Sequence, residues 1–449
     1  MGKPELELAA LTRVLPHSLI EMVLREAGKQ GQRLRKLPPD LVVWLVVGMG
    51  FFRGLSTSNV LQRIVEGLGG MFGWGPAEAP HKTSIAQARD RLGWKVVRTL
   101  FQRLAGSLAG IHEEATTWRN LVVYVLDGTC FMVPDTRDNE AWFGRPGSSR
   151  GGKSGFPQLR AVLLVGAWTH LIVDVVLGPY THNEGRLTEH LVPRLKAGCL
   201  VLLDRAYFTF IWPARLLARG AHFAVRTKQG RCAMKPKRVR RLGRGDWLVE
   251  LRKPDGVRDA GMPDKLRARE ITCARKGYRP IVVMTSLLDP VQYPAHEIAL
   301  LYVDRWEAEL SYRELKTYLA REQVTFRSKK PDRILQEAYG LFTAYNCVRT
   351  LMCEAAQEVG VRPIELSFTD CLERLRWVLG TTTDSASAHD RLVTSFSLCR
   401  LPARRPGRRC DRAVKIKMSN WPRKRTGQPS APTAAQNRAR KRAHAASRA

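Results

Sequence analysis

No two of the nine cysteines stand at CxxC spacing, and the nearest pair, Cys347 and Cys353, lies six residues apart in a helical pattern. That absence excludes a zinc finger or a secreted disulfide scaffold and predicts a reducing, cytoplasmic setting. Long apolar runs are missing as well. The most hydrophobic stretch, Leu41 to Phe52, has twelve residues, two of them glycine; it is too short to span a bilayer and too far along the chain to be a signal peptide. Acidic residues are scarce, 41 Asp and Glu against 74 Lys and Arg, for a net charge of +33. Such an excess predicts a polyanionic partner, above all nucleic acid, and binding that weakens with salt.

The charge is spread in two ways. Residues 400–449 hold sixteen Lys and Arg against Asp411 alone, which leaves +18 on residues 1–399. This tail is rich in Arg, Pro and Ala without apolar periodicity, and is expected to stay disordered until it meets nucleic acid. The remaining chain is long enough, and at 44% hydrophobic apolar enough, to bury a full core in two or three domains.

Residues 1–117 read as a helical N-terminal DNA-binding domain, with helices near Ser18 to Lys29, Asp40 to Phe52 and Ser56 to Leu68. After a Gly and Pro-rich connector, Thr83 or Ser84 is placed to cap a helix exposing Gln87, Arg89 and Arg91, a candidate DNA reader after a turn. A charged, solvated helix face is the alternative. From Leu121 short β-rich runs take over. LVVYVLDGT reads as a strand ending in Asp127, FMV as a short neighbour, LRAVLLVGAWTHLIVDVVLG as strands turning near Trp168 to His170, and LVLLDRAYF as a strand ending in Asp204. A helix is expected over Leu187 to Leu195. The outline is an α/β domain on a mixed sheet, its first part at 118–220. A β-rich insertion comes next at 221–292, and the second part with C-terminal helices at 293–399.

Leu300 to Leu319 carries a distinctive pattern. At about 100° per residue, Tyr302, Arg305, Glu309 and Lys316 fall within a stripe roughly 60° wide, beside an apolar stripe of Leu301, Ala308, Tyr312, Leu315 and Leu319. Asp304, Glu307 and Glu314 point elsewhere and read as solvent-facing charge. Taken alone, the polar stripe reads as surface ion pairing. Asp127 and Asp204, each closing an apolar β run, alter that reading, because strand ends of open sheets are where active sites collect. Three converging carboxylates need cations to remain ionised. They make an all-oxygen site for Mg2+ or Mn2+, and two such ions suit phosphodiester chemistry.

On these residues the chain resembles a DDE transposase of the insertion-sequence-four family. The spacing Tyr302, Arg305, Glu309, Lys316 matches the family's helix signature, and Asp127 in LDGT and Asp204 in LLDRAYF match its two aspartates. Similarity extends over roughly residues 10–425 and takes in FGRPGSSRGGKSGFPQLR, SIAQARDRLG and KIKMSNWPRKR. The resemblance implies an RNase H-like catalytic domain interrupted by a β-rich insertion. It implies Asp127, Asp204 and Glu309 as catalytic ligands of two Mg2+ or Mn2+ ions, with Tyr302, Arg305 and Lys316 gripping phosphates. It also implies that Trp306 stacks on a base flipped out of the DNA end; a core tryptophan is the alternative. Expected partners are double-stranded DNA, as terminal inverted repeats and target, and a second copy of the chain. The expected location is the cytoplasm, on the nucleoid. A DNA-binding protein without catalysis and a nuclease that only cuts are the competing readings.

Weaker candidates surround this core. GSSRGGKS at Gly147 to Ser154 fits the pattern of a phosphate-binding P-loop. It lacks a strand before it and a helix after it, and reads instead as a basic loop in which Arg150 and Lys153 touch DNA. Glu184 is either a supporting acid near Asp204 or a helix-start residue. His182 reads as structural, Asp135 and Asp138 as solvated, and Asp174 as lacking the context of Asp127.

Overall fold

The computed structural model describes residues 11, 13–30, 36–67, 80–148, 152–153, 155–228, 234, 236–259, 261–274, 280–319, 326–381 and 388–402. Arg150 and nearly all of the basic tail lie outside these residues. The chain divides into two units, Met1–Leu401 and Pro402–Ala449, and all the helices and strands described belong to the first.

Five helices open the chain: α1 His17–Glu26, α2 Pro39–Phe51, α3 Thr57–Gly67, α4 Lys82–Leu92 and α5 Trp94–Ile111. The long apolar run is α2, in which Leu41 to Phe51 are all buried. A helix that is hydrophobic all round belongs inside a core. Its partner is α11, Pro331–Glu358, itself buried from Ile334 to Cys353 without interruption. The two backbones approach closely: a Cβ on Gly340 would stand 2.6 Å from the Val46 carbonyl oxygen, and one on Gly50 2.6 Å from the Ala344 methyl. Glycine at both positions is therefore a steric requirement.

One ten-stranded sheet carries the α/β part. Its strands are β1 Thr117–Trp118, β2 Leu121–Met132, β5 Gln158–Gly166, β6 Ile172–Pro179, β7 Cys199–Leu203, β8 His222–Arg226, β9 Lys237–Gly243, β10 Asp246–Arg252, β11 Lys265–Cys273 and β12 Ile281–Thr285. A separate hairpin pairs β3 Gly147–Ser148 with β4 Gly152–Lys153. The spatial order is β6-β5-β2-β7-β8-β12-β11-β10-β9, with β1 on β2. The first three of these strands are antiparallel, and β7 and β8 run parallel to β2 and to each other. That arrangement, five strands in the order third, second, first, fourth, fifth, is RNase H-like, as expected. Helices α6 Arg137–Phe143, α7 Glu184–Thr188, α8 Ile211–Ala218, α9 Ala295–Val303, α10 Trp306–Arg313, α12 Phe368–Thr381 and α13 Ala388–Ser397 complete the unit.

Several expected boundaries move. β2 does not end at Asp127 but runs on through FM to Met132. The helix expected over Leu187 to Leu195 is the short α7 followed by a 3-10 turn at Val192–Arg194. HFAVR is the fifth core strand, and the β-rich segment after it extends the same sheet through β12, β11, β10 and β9. The outermost strand, β9, exposes Lys237, Arg238, Arg240 and Arg241, charges that discourage edge-to-edge pairing.

A candidate active site at the end of the parallel strands

β2 and β7 keep their parallel register from Val122 opposite Cys199 to Leu126 opposite Leu203. The next residues are Asp127 and Asp204. Beyond that point β7 leaves the sheet, while β2 continues only against β5, with Asp127 opposite Leu163. Two carboxylates thus stand side by side where a parallel partner departs, the crevice position in an open sheet. Asp204 turns into a 3-10 segment, Arg205–Tyr207, and Asp127 accepts the Gly128 N–H at 2.8 Å.

The segment bearing the third acid is not one continuous helix. α9 ends at Val303, α10 begins at Trp306, and Glu314–Leu319 winds as a π-helix, a departure that is frequent at functional sites. Each change of winding rotates the turns beyond it, so residues on one stripe of an ideal wheel separate. Arg305 and Glu309 stay together at 3.6 Å, and the same guanidinium reaches Asp204 at 3.9 Å and Asp127 at 4.0 Å. Arg305 is only 6% exposed, and its guanidinium carbon lies 5.4 Å from the Trp306 ring centre. The three predicted acids therefore converge on one buried cation.

Tyr302 has turned inward. It is 3% exposed, and its hydroxyl donates to the Leu203 carbonyl at 2.9 Å and accepts the Arg226 N–H at 3.1 Å. Its hydroxyl is spent on joining the ends of β7 and β8, immediately before Asp204, and does not face a phosphate; burial pushes the phenol up to about 12. Lys316 sits 5.4 Å over the Phe131 ring, further along the strand that carries Asp127, with burial lowering its pKa. Trp306 is 55% exposed, which removes the core alternative. Glu314, expected to face solvent, is buried in the π-helical turn. It accepts from Arg349 at 3.0 Å and from the Tyr345 hydroxyl at 2.7 Å, with His170 Nδ1 at 3.6 Å. Asp304 also has a partner, the Trp168 indole N–H at 3.0 Å.

The candidate reader helix α4 is corrected at two points. Its cap is His81, whose Nδ1 accepts the Thr83 N–H, in place of Thr83 or Ser84. Gln87 and Arg91 are exposed, but Arg89 is 5% exposed. It donates to Gln336 at 2.8 Å and Ser328 at 3.3 Å and lies 3.5 Å from the buried Glu337. Burial lowers its pKa, opposed by Glu337. Arg89 fastens α4 to α11 and is out of reach of DNA. Lys153 lies in the β3–β4 hairpin; a hairpin in place of strand and helix rules out a P-loop. Asp174 is paired with Arg194 at 2.7 Å, and Asp135 with Arg145.

Two residues beside Asp127 define its electrostatics. Burial first, and the charge of Glu184 second, push the Asp127 carboxyl up from its ordinary 3.8 to about 7, while the Gly128 N–H and Arg305 pull it down. Glu184 begins α7 and lies against Gly128, so it belongs beside Asp127 more directly than beside Asp204. The glycine of LDGT was the signal: only a residue without a side chain leaves room there. Tyr207 of DRAYF, which holds Glu184 through a 2.6 Å hydrogen bond, carried no comparable sign.

The donor set is all carboxylate, as hard divalent cations prefer. Its three carboxylates stand against one cation, Arg305, a balance that fits a site completed by further cations. Among the described residues no three His, Cys, Asp or Glu side chains stand close enough to hold a metal ion; Arg305 lies between the acids.

Residues 5–102 match the family described as insertion element 4 transposase N-terminal, and residues 118–347 the transposase DDE domain. The chain is 32% identical over 431 residues to the transposase InsG for insertion sequence element IS4 of Escherichia coli (strain K12), covering 92% of this chain and 93% of that protein. It is 24% identical over 198 residues, 43% of this chain and 62% of the relative, to the putative transposase InsZ of the same organism. Among solved structures it is similar to the piggyBac transposase synaptic complex with hairpin DNA, with a TM-score of 0.41 and 10% identity over 91% of this chain and 87% of that one.

Proposed function

This chain belongs to the DDE transposases of the insertion-element-4 family, and we propose that it binds its element's terminal inverted repeats, cleaves there and joins the freed 3′ end to target DNA. It is an insertion-sequence transposase, DNA is its partner, and a DDE domain depends on divalent metal. The observation that carries the finer reading is the convergence of Asp127, Asp204 and Glu309 on Arg305 at the end of the parallel strands.

In this reading Asp127, Asp204 and Glu309 hold two Mg2+ or Mn2+ ions. Such cations supply Lewis acidity and charge neutralisation for in-line phosphoryl transfer. Arg305 changes partners: it neutralises the acids in the free protein and turns its planar fork to a DNA phosphate when cations take over that task. Lys316 adds a point charge beside the same strand. Tyr302 acts as a positioning residue, fixing Leu203 and hence the direction in which Asp204 leaves the sheet. Trp306, exposed next to Arg305, offers an indole face to an extruded base. Gln87, Arg91, Arg150 and Lys153 contact DNA, whereas Arg89 does not.

Residues 1–117 form the end-binding domain in this scheme, 118–226 and 293–399 the catalytic core, 227–292 its β-rich insertion and 400–449 a basic tail. Two ends have to be handled together, which requires a homodimer in the synaptic complex. The strong positive charge suits retention on the nucleoid, and no helix among the described residues is long and apolar enough to cross a membrane.

The test incubates the purified protein with DNA bearing its element's ends and Mg2+, beside Asp127→Ala, Asp204→Ala and Glu309→Ala. Wild type should cleave and join, and each variant should bind the ends without chemistry. Variants that process DNA as well as wild type would refute the assignment of the acids. End binding without metal-dependent chemistry in wild type would favour a DNA-binding protein that has lost catalysis.

A further inference from the structure

Glu184 is an acid at the site without an assigned task. Its carboxylate lies against β2 at the residue after Asp127: a Cβ on Gly128 would stand 2.5 Å from Glu184 Cδ and 2.7 Å from Oε2. Oε1 accepts the Tyr207 hydroxyl at 2.6 Å, and that hydroxyl is also 2.9 Å from Thr188 Oγ1. Tyr207 is 2% exposed and belongs to the turn that begins at Asp204. Glu184 is thus fixed by the segment leaving one aspartate and rests on the segment leaving the other. Its Oε2 takes no hydrogen bond among the described residues.

A first-turn acid on a helix would be accounted for by solvent and the helix N-terminus alone. A second observation points to a ligand. Tyr312, three residues beyond Glu309, is 8% exposed, and its hydroxyl has no hydrogen-bond partner among the described residues. Burial pushes this phenol well above 10, and the charges that add to the effect are those of Asp127, Tyr207 and Glu184. Buried hydroxyls are nearly always hydrogen-bonded, so this one is left to a group that the described residues do not supply.

We infer that Glu184 is a fourth acid of the divalent-cation site, with Oε1 held by Tyr207, Oε2 available to the cation, and Gly128 kept free of a side chain to admit it. The inference rests on the reading of Asp127, Asp204 and Glu309 as metal-binding acids. Glu184→Gln is the informative change, because the amide oxygen still accepts from Tyr207 while the charge is removed.

The experiment measures Mn2+ binding to the full chain by calorimetry and by electron paramagnetic resonance, together with the melting temperature of the metal-free protein. Glu184→Gln should weaken Mn2+ binding tenfold or more, the range found when supporting carboxylates of metal sites are removed, and should leave metal-free melting at or above wild type. Asp127→Asn is the reference. If it loses Mn2+ affinity while Glu184→Gln binds like wild type, Glu184 is only a helix-start acid and the inference is overturned. If neither changes Mn2+ binding, the metal-site reading itself fails. Should Glu184→Gln melt far below wild type, Tyr207→Phe provides the second arm. It leaves the carboxylate present but unfixed, and unaltered Mn2+ binding in that variant overturns the inference.

Discussion

Replacing Asp127 by Asn should stabilise the metal-free protein above neutral pH while abolishing its response to divalent cations. Burial and the neighbouring Glu184 raise the Asp127 carboxyl from 3.8 to about 7 in the folded chain. Unfolded, the same group titrates near its ordinary value. Between about pH 4 and pH 7 the folded state therefore holds a proton that the unfolded state has released, and stability falls as pH rises through that window. A difference of roughly three pH units corresponds to about 4 kcal/mol at about 1.4 kcal/mol per unit. The loss is absent below about pH 4 and complete above about pH 7. Asparagine has no proton to release, so the variant should keep this stability at about pH 8, which for a chain of this size amounts to a few degrees in melting temperature. The assay is a pair of urea melts at about pH 5 and about pH 8 in a chelator, repeated with Mg2+. Wild type should weaken between the two pH values and recover with Mg2+; Asp127→Asn should do neither to the same degree. Parallel curves for the two proteins would refute the reasoning, because the carboxyl would then titrate near its ordinary value in the fold.

Tyr302→Phe removes the hydroxyl that joins Leu203 and Arg226; it should cost about 1–3 kcal/mol and slow strand cleavage while DNA affinity in gel shifts stays near wild type. Arg89→Met leaves Glu337 with less compensation inside the α4–α11 contact and should destabilise by about 3–5 kcal/mol, read by thermal melting. Arg91→Ala should instead stay within about 0.5 kcal/mol and weaken DNA binding. Gly340→Ala places a methyl against the Val46 carbonyl; a loss of about 1–3 kcal/mol in chemical denaturation is expected, with no change at the site other than through lost fold.

Much of the fold was legible in local pattern. The alternation and the buried apolar runs around Leu121 to Asp204 identify the central strands because a strand's two faces repeat every second residue, and the turn near Trp168 to His170 falls where β5 meets β6. The twelve-residue apolar run could be excluded as a membrane span by length alone, yet its burial on every side depends on α11, nearly 300 residues away. Edges of elements were less legible: nothing local tells β2 to continue past Asp127, since the pairing that sustains it comes from β5.

By itself, the sequence singled out Asp127, Asp204 and Glu309 as the candidate acids and fixed the order in which they arrive. Asp127 and Asp204 each follow directly on an apolar run, Leu121 to Leu126 and Cys199 to Leu203, and Glu309 lies one helical turn from Arg305; both are short-range relations. Only the tertiary structure decided what each charged group faces. A helical wheel assumes one winding, and the break before Trp306 and the π-helical turn at Glu314–Leu319 change its phase, while Tyr302 and Glu314 are buried by the elements that pack on them. Arg89 differs from Arg91 because α11 covers one of their two faces. Glu184 rests against Gly128, the residue after Asp127, where a side chain would leave no room. Periodicity gives the angles between neighbours on one element; the packing of distant elements sets which of those angles points into the protein.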